Sequence, residues 1–229
     1  MSELPGTVMG ISDWNESWSI NRIPFHLEEC NEMLVKHIDA MLRSRKNIRI
    51  FFPLCGKAVD MKWLYDEGHT IVGLEGSAKG IEEFFSDNNL KYSSESLADG
   101  KFTLYKTEDG RMNLYCGDIY DFTSSIGGKM QGIWDRGSFV AINREDREKY
   151  SKILVDLMEK DCHYLLDVVR YDPCEYAGPP HCSTKEELQK LFGERCLLSE
   201  LEEKDAMTET QVGWGLTKFR EAVVELTLK

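Results

Sequence analysis

At 229 residues the chain is long enough for one substantial α/β domain and too short for two full-sized ones. Its 28 basic and 40 acidic side chains leave a formal charge of −12 with no clustered Lys/Arg face, which argues against nucleic acid as a partner. No apolar run approaches the roughly 20 residues of a membrane span, and no basic-then-apolar N-terminus marks secretion. The seven cysteines contain no CxxC pair, so neither a zinc site nor a disulfide framework is expected. Cys174, His181 and Cys182, the nearest thing to a metal cluster, have the spacing of free loop residues. The expectation is a cytoplasmic monomer without metal, membrane or nucleic-acid partners.

In chain order, residues 1–12 are polar with Pro5, Gly6 and Gly10 and read as a mobile leader. Asp13 can cap a short helix carrying Trp14 and Trp18, one turn apart on one face. Paired aromatics so near a terminus cover something apolar: by default one end of the core, in the functional alternative a ligand. Residues 25–45 place Leu27, Cys30, Leu34, Ile38, Met41 and Leu42 at helical spacing, which predicts a packing helix ahead of the first strand.

The stretch from Arg49 to Glu75 carries the strongest signal. An apolar run from Ile48 to Leu54 is broken by Cys55-Gly56-Lys57, and an amphipathic segment follows over residues 58–67. Gly68-His69 stops it, and a second apolar run ends in Glu75, 19 residues after Gly56. Strand, glycine turn, helix, strand and acid is the order a nucleotide site needs, with the carboxylate placed to hold both ribose hydroxyls. One glycine among Pro53, Leu54, Cys55 and Lys57 is too few for a pyrophosphate, which disfavours a pyridine-dinucleotide oxidoreductase. A nucleoside without pyrophosphate fits better, and S-adenosylmethionine is the common cofactor of that description. The same residues also read as a plain βαβ unit with Glu75 a solvated strand end, and this stretch alone leaves both open.

Beyond Glu75, residues 77–89 have helical spacing of Ile81, Phe84 and Phe85. The runs 102–105 and 111–115, joined by Asp109-Gly110, predict a β-hairpin. Its second arm enters Gly117-Asp118-Ile119, a short acceptor beside an apolar side chain, as an adenine pocket requires. The run 130–134 predicts a strand ending in Asp135-Arg136-Gly137, and this charged strand end reads as functional rather than as a local structural pair. A helix over 144–160 and a strand over 164–169 follow, then a Gly178-Pro179-Pro180 loop. Ser183 with Glu186 suggests a capping box opening a helix that stops at Gly193. Two last strands, 196–201 and 219–228, bracket a loop with Trp214. The count of about seven strands predicts a doubly wound, mostly parallel α/β sheet with one antiparallel edge strand.

The segments Phe-Phe-Pro-Leu-Cys-Gly-Lys-Ala-Val (51–59), Met-Lys-Trp (61–63), Val-Gly-Leu-Glu (72–75), Ile-Trp-Asp-Arg-Gly (133–137), Val-Ala-Ile-Asn (140–143), and Tyr-Asp-Pro with Gly-Pro-Pro within 171–180 closely resemble thiopurine S-methyltransferases. The similarity runs from Trp14 onward. It implies a class I methyltransferase, Rossmann-like fold of seven strands with the last antiparallel, and transfer of a methyl group from S-adenosylmethionine to the sulfur of an aromatic or heterocyclic thiol. Trp14, Leu54, Glu75, Asp118, Ile119 and Arg136 match cofactor-contacting positions, joined by Gly56 from the turn itself. Phe25 and Arg136 match the acceptor side, and Arg136 is the candidate catalytic residue. The resemblance recasts the N-terminal aromatics as a lid, so residues 13–229 become one domain with a helical lid over 13–45. One departure stands out: Glu209, Thr210 and Gln211 precede Val212-Gly213-Trp214, where animal members usually carry an acceptor-facing arginine. Methyl transfer to a selenol, sulfide or halide, or a non-catalytic cofactor binder, are the alternative readings.

Overall fold

The computed structural model describes residues 8–98 and 100–229. Its elements are α1 (Ile11–Ser19), α2 (Glu32–Leu42), β1 (Arg49–Phe52), α3 (Val59–Asp66), β2 (Thr70–Glu75), α4 (Ala78–Asp87), β3 (Ser93–Ser96), β4 (Thr103–Lys106) and β5 (Met112–Cys116). There follow α5 (Ser124–Gly127), β6 (Met130–Asp135), α6 (Arg147–Leu157), β7 (Met158–Arg170), α7 (Lys185–Phe192), β8 (Cys196–Asp205), α8 (Glu209–Gly213) and β9 (Arg220–Leu228).

Strands buried on both faces read as continuous apolar runs, and β1, β2 and β6 do so because helices cover both sides of a parallel sheet. Alternate residues of each strand serve opposite layers. Ile50, Phe52, Leu114 and Leu165 pack with Leu34 of α2, Met61 of α3 and Phe84 of α4. Phe51, Val72, Ile133 and Leu166 pack with Tyr150 and Leu154 of α6 and Phe192 of α7. The sheet is therefore doubly wound.

Strand order is β3-β4-β5-β2-β1-β6-β7-β9-β8. The seven strands from β5 to β8 are the sheet implied by the resemblance, with β9 antiparallel to both its neighbours. Two features differ from expectation. The hairpin arm β4 and the short β3 extend the sheet to nine strands among the described residues, so β4 is a second antiparallel strand. Strand β3 is Ser-Ser-Glu-Ser, exposed throughout, with no apolar alternation to announce it. The antiparallel β9 is also not an edge: it lies between β7 and β8, which accounts for the five consecutive buried residues Ala222–Leu226.

Helix starts differ where polar caps decide them. Gly10 is the cap of α1, and Asp13 acts from inside the first turn, its Oδ2 accepting the Gly10 N–H at 2.7 Å. Of the leader expected over 1–12, residues 1–7 lie outside the described residues, while Ile11 and Ser12 are already helical. Helix α2 begins only after Asn31, whose side chain accepts the N–H groups of Met33 and Leu34 at 2.8 and 3.1 Å, so residues 25–30 form a loop rather than helix. Helix α7 is capped by Thr184, which accepts the Glu187 N–H at 3.1 Å, one residue beyond the expected Ser183.

Candidate functional site at the strand ends

The turn after β1 is tightly wound. Leu54 and Gly56 both have left-handed φ, 41° and 49°, on either side of Cys55, whose N–H is fixed to the Leu74 carbonyl at 2.8 Å. For Leu54 this conformation costs on the order of 1 kcal/mol or more, and the surrounding packing must hold it. The turn folds the Gly56 N–H onto Glu75 Oε2 at 2.8 Å, while Glu75 Oε1 accepts the Ser77 N–H at 2.9 Å. One buried carboxylate thus ties the β1–α3 turn to the start of α4. Burial raises the Glu75 carboxyl above its ordinary range, and the N–H groups of Ser77, Gly56 and Gly76 work against that shift.

Parallel register puts Asp118 next door. Glu75 pairs with Cys116, and the Gly117 N–H reaches the Glu75 carbonyl at 3.0 Å. Asp118 Oδ1 then accepts the Tyr120 N–H at 2.9 Å and caps a 3₁₀ turn over Ile119–Asp121, with Ile119 itself in the core. Two carboxylates therefore sit at the ends of adjacent strands.

Across this edge runs the N-terminal segment. Met9 and Asn143 exchange two hydrogen bonds, each 3.0 Å, and Lys79 Nζ donates to the Trp18 carbonyl at 2.8 Å. Ile11 covers Gly76, where a Cβ would come within 2.9 Å of its side chain. Trp18, only 2% exposed, lies over Gly56 and Gly80, at each of which a Cβ would stand 3.0 Å from its ring. The glycine at 56 is thus required twice, by its φ and by the indole. Trp14, singled out by sequence, sits further out, edge-on to Phe25 at 5.8 Å; Trp18 meets the same ring at 6.0 Å.

A cleft of about 70 Å³ opens beside the turn, with Trp18, Phe25, Leu54, Gly56, Asp60, Trp134 and Arg136 in its lining. Of the expected site residues, Phe25, Leu54, Gly56 and Arg136 meet here; Trp14 reaches this group through Phe25, while Glu75, Asp118 and Ile119 lie outside the cleft lining, at the end of β2 and just beyond β5. Arg136 Nη1 donates to the Phe25 carbonyl at 2.7 Å and so holds the loop before α2 over the end of β6. Its neighbour Asp135 is different in kind. Fully buried, it accepts the hydroxyls of Tyr150 and Tyr164, both at 2.7 Å, and the Phe139 N–H at 2.9 Å. Burial pushes its carboxyl up against these donors. Asp135 therefore pins β6 to β7 and α6, and Arg136 is the member of the pair that lines the cleft.

Sequence reasoning missed Trp18 as the residue on the turn, and it missed Asp60 and Trp134. Asp60 is 4% exposed, and its Oδ1 accepts the Asn31 N–H at 2.8 Å. The available signal was an acid on the apolar face of α3, in line with Met61 and Leu64. Trp134 Nε1 is buried without a hydrogen-bond partner. The Cys55 thiol is pushed well up by burial and by Glu75, which makes it unreactive. Cys174, His181 and Cys182 form no common site: His181 Nδ1 is engaged by the Ala177 carbonyl at 3.0 Å, and no group of three or more His, Cys, Asp or Glu among the described residues could hold a metal.

A family model described as thiopurine S-methyltransferase matches residues 9–229. The chain belongs to the thiopurine S-methyltransferase family. A probable thiopurine S-methyltransferase of Danio rerio is 44% identical over 100% of this chain and 99% of its own length. The thiopurine S-methyltransferase of Rattus norvegicus is 44% identical over 97% of this chain and 93% of its own. Among solved structures, a SAM-dependent methyltransferase of Anabaena variabilis superposes with a TM-score of 0.66 at 14% identity, covering 100% of this chain and 99% of that one. The N-methyltransferase NodS of Bradyrhizobium japonicum, in complex with S-adenosyl-L-homocysteine, gives 0.62 at 11% identity, covering 92% of this chain and 97% of its own. The fold is therefore that of class I methyltransferases, and in this thiopurine S-methyltransferase family member Glu75 and Arg136 stand at the carboxyl ends of parallel strands, where open α/β sheets as a class bind ligands.

Proposed function

We propose that this protein methylates the sulfur of aromatic or heterocyclic thiols such as thiopurines, using S-adenosylmethionine. Family membership across residues 9–229 carries the reading. The donor set fits the cofactor: Glu75 and Asp118 offer acceptors at adjacent strand ends for a ribose diol and an exocyclic amine, and the single glycine of the turn suits a nucleoside without pyrophosphate. When bound, the cofactor supplies an electrophilic methyl group on a sulfonium sulfur. Glu75, Asp118, Ile119, Leu54, Gly56 and Trp14 hold the nucleoside in this reading, and α1 with the following loop is the lid. Phe25 and Arg136 take the acceptor.

The protein's tasks are orientation and exclusion of water. The reaction is an in-line displacement: the thiolate sulfur forms a bond to the methyl carbon, and the electron pair of the breaking bond returns to the sulfonium sulfur. Holding the two centres in line accounts for most of the catalysis required. The acceptor reacts as its thiolate, so a thiol acidic enough to ionise near neutrality needs no strong base, and Arg136 orients the anion. Closure of Trp14, Trp18 and Phe25 over the cleft keeps water out.

The test is a methyl-transfer assay with 6-mercaptopurine beside calorimetry with S-adenosylhomocysteine. Expected are S-methylated product and saturable cofactor binding; binding without product from any thiol or selenol would leave a non-catalytic homologue. The reading includes a cytoplasmic monomer acting on small molecules, supported by the acidic charge and seven free cysteines. Light scattering on purified protein checks the oligomeric state.

A further inference from the structure

We infer that Asp60 sets the charge of the acceptor this cleft takes: it admits aromatic thiols whose sulfur is the one ionised group and discriminates against those bearing a second negative charge. The inference rests on the methyl-transfer reading above and adds to it a residue that selects among thiols.

Four residues with ionisable side chains in the working range of pH, or permanently charged, line the cleft: His26, Lys57, Asp60 and Arg136. Lys57 is already paired, its Nζ lying 2.9 Å from Glu83 and 3.1 Å from Asp87. His26 is pushed below its ordinary value, first by burial and then by Lys57, so it is a neutral imidazole at neutral pH. That leaves Arg136 as the cation and Asp60 as the anion. A second acid in the field of Arg136, Asp167 on β7, lies outside the cleft lining, and burial and the neighbouring Glu221 push its carboxyl well up, which disfavours a charge there.

Asp60 is built into the cleft wall rather than lying on the surface. The Asn31 N–H holds Oδ1 at 2.8 Å and thereby fixes the carboxylate to the start of α2. Burial raises its carboxyl above the ordinary range, while the Asn31 N–H and Arg136 favour the charged form and work against that shift. The Trp134 Nε1 proton, buried and without a hydrogen-bond partner, adds a second polar group to the same wall of the cleft.

With Lys57 held by two acids from outside the cleft, the lining is left with one unpaired cation, Arg136, and one acid, Asp60. A sulfonium and a thiolate preserve that balance. A carboxylate on the acceptor breaks it, because among the described residues no Lys or Arg other than Lys57 and Arg136 lines the cleft. An extra anion would face Asp60 in a partly dehydrated space, where like charges repel far more strongly than in water.

The experiment compares kcat/KM for thiophenol, 4-mercaptobenzamide and 4-mercaptobenzoate at a pH where all three sulfurs are ionised. The amide matches the carboxylate in size, so the pair isolates charge. With the wild-type protein the benzoate is expected to fall at least about tenfold below the benzamide. Asp60→Asn, whose Oδ1 can still accept the Asn31 N–H, is expected to narrow that gap about fivefold or more. A benzoate used as well as the benzamide by the wild-type protein overturns the inference without any variant. So does a gap that folded Asp60→Asn leaves unchanged. Failure to methylate any of the three, with the cofactor bound, removes the methyl-transfer reading and this inference with it.

Discussion

Replacing Glu75 by Gln separates the two tasks that the structure gives this carboxylate. Both oxygens accept backbone N–H groups, from Gly56 at 2.8 Å and Ser77 at 2.9 Å. An amide offers one oxygen and one NH₂, so one of those N–H donors must face another donor. Losing a charge-assisted hydrogen bond costs roughly 1.5–3 kcal/mol, and relief of the buried charge returns part of it, leaving a net loss of about 1–2 kcal/mol. For a protein of this size that is a fall in Tm of roughly 2–8 °C. In the bound state the carboxylate's hydrogen bonds to the ribose are weakened as well, worth about 1–3 kcal/mol, or about 5- to 150-fold in Kd. Denaturant titration measures the first effect, and calorimetry with S-adenosylhomocysteine on the folded variant measures the second. Destabilisation with unchanged cofactor affinity would make Glu75 a turn clamp alone, and unchanged values of both would refute the geometry described for it.

Other substitutions probe the remaining parts. Gly56→Ala must adopt φ 49° with its Cβ 3.0 Å from the Trp18 ring, so a loss of about 1–3 kcal/mol is expected, read by denaturation together with a change in tryptophan fluorescence. Arg136→Ala removes the 2.7 Å tether to the Phe25 carbonyl; the expectation is a raised KM for the thiol with cofactor Kd within about threefold of wild type, and the reverse pattern would move Arg136 to the cofactor side. Asp167 has its folded-state pKa raised well above the unfolded value, chiefly by burial. Its contribution to stability is therefore present below about pH 4 and lost as pH rises through the folded value. Asp167→Asn is expected to flatten the decline of stability that sets in above about pH 4, and an unaltered pH profile would show that the group titrates normally.

Much of this was legible because local chemistry and tertiary placement agree. The Arg49–Glu75 stretch announced strand, turn, helix and acid, and each is found within a residue or two. Asp109-Gly110 announced the β4–β5 hairpin because few residues besides Gly adopt the turn's φ of 69°. What failed was decided at a distance. Helical spacing from Phe25 was real, but the Asn31 side chain outcompetes it for the first N–H groups of α2, while Arg136 holds the preceding loop open. Trp14 and Trp18 are alike in sequence, and only the glycines at 56 and 80, brought together by the fold, show which of them packs on the turn. Asp60 went unnoticed because its partner is a backbone N–H 29 residues away.

The place of β9 bears on how the chain comes to be folded at all. A polypeptide is made from its N-terminus, so β7 and β8 emerge before the strand that joins them, separated in the finished sheet by residues not yet synthesised. Until Arg220–Leu228 follows, β7 shows one open edge and β8 has no partner among the described strands. Insertion of β9 is then the step that closes the sheet, and interruption of synthesis just before it would release a chain with its stickiest edges exposed.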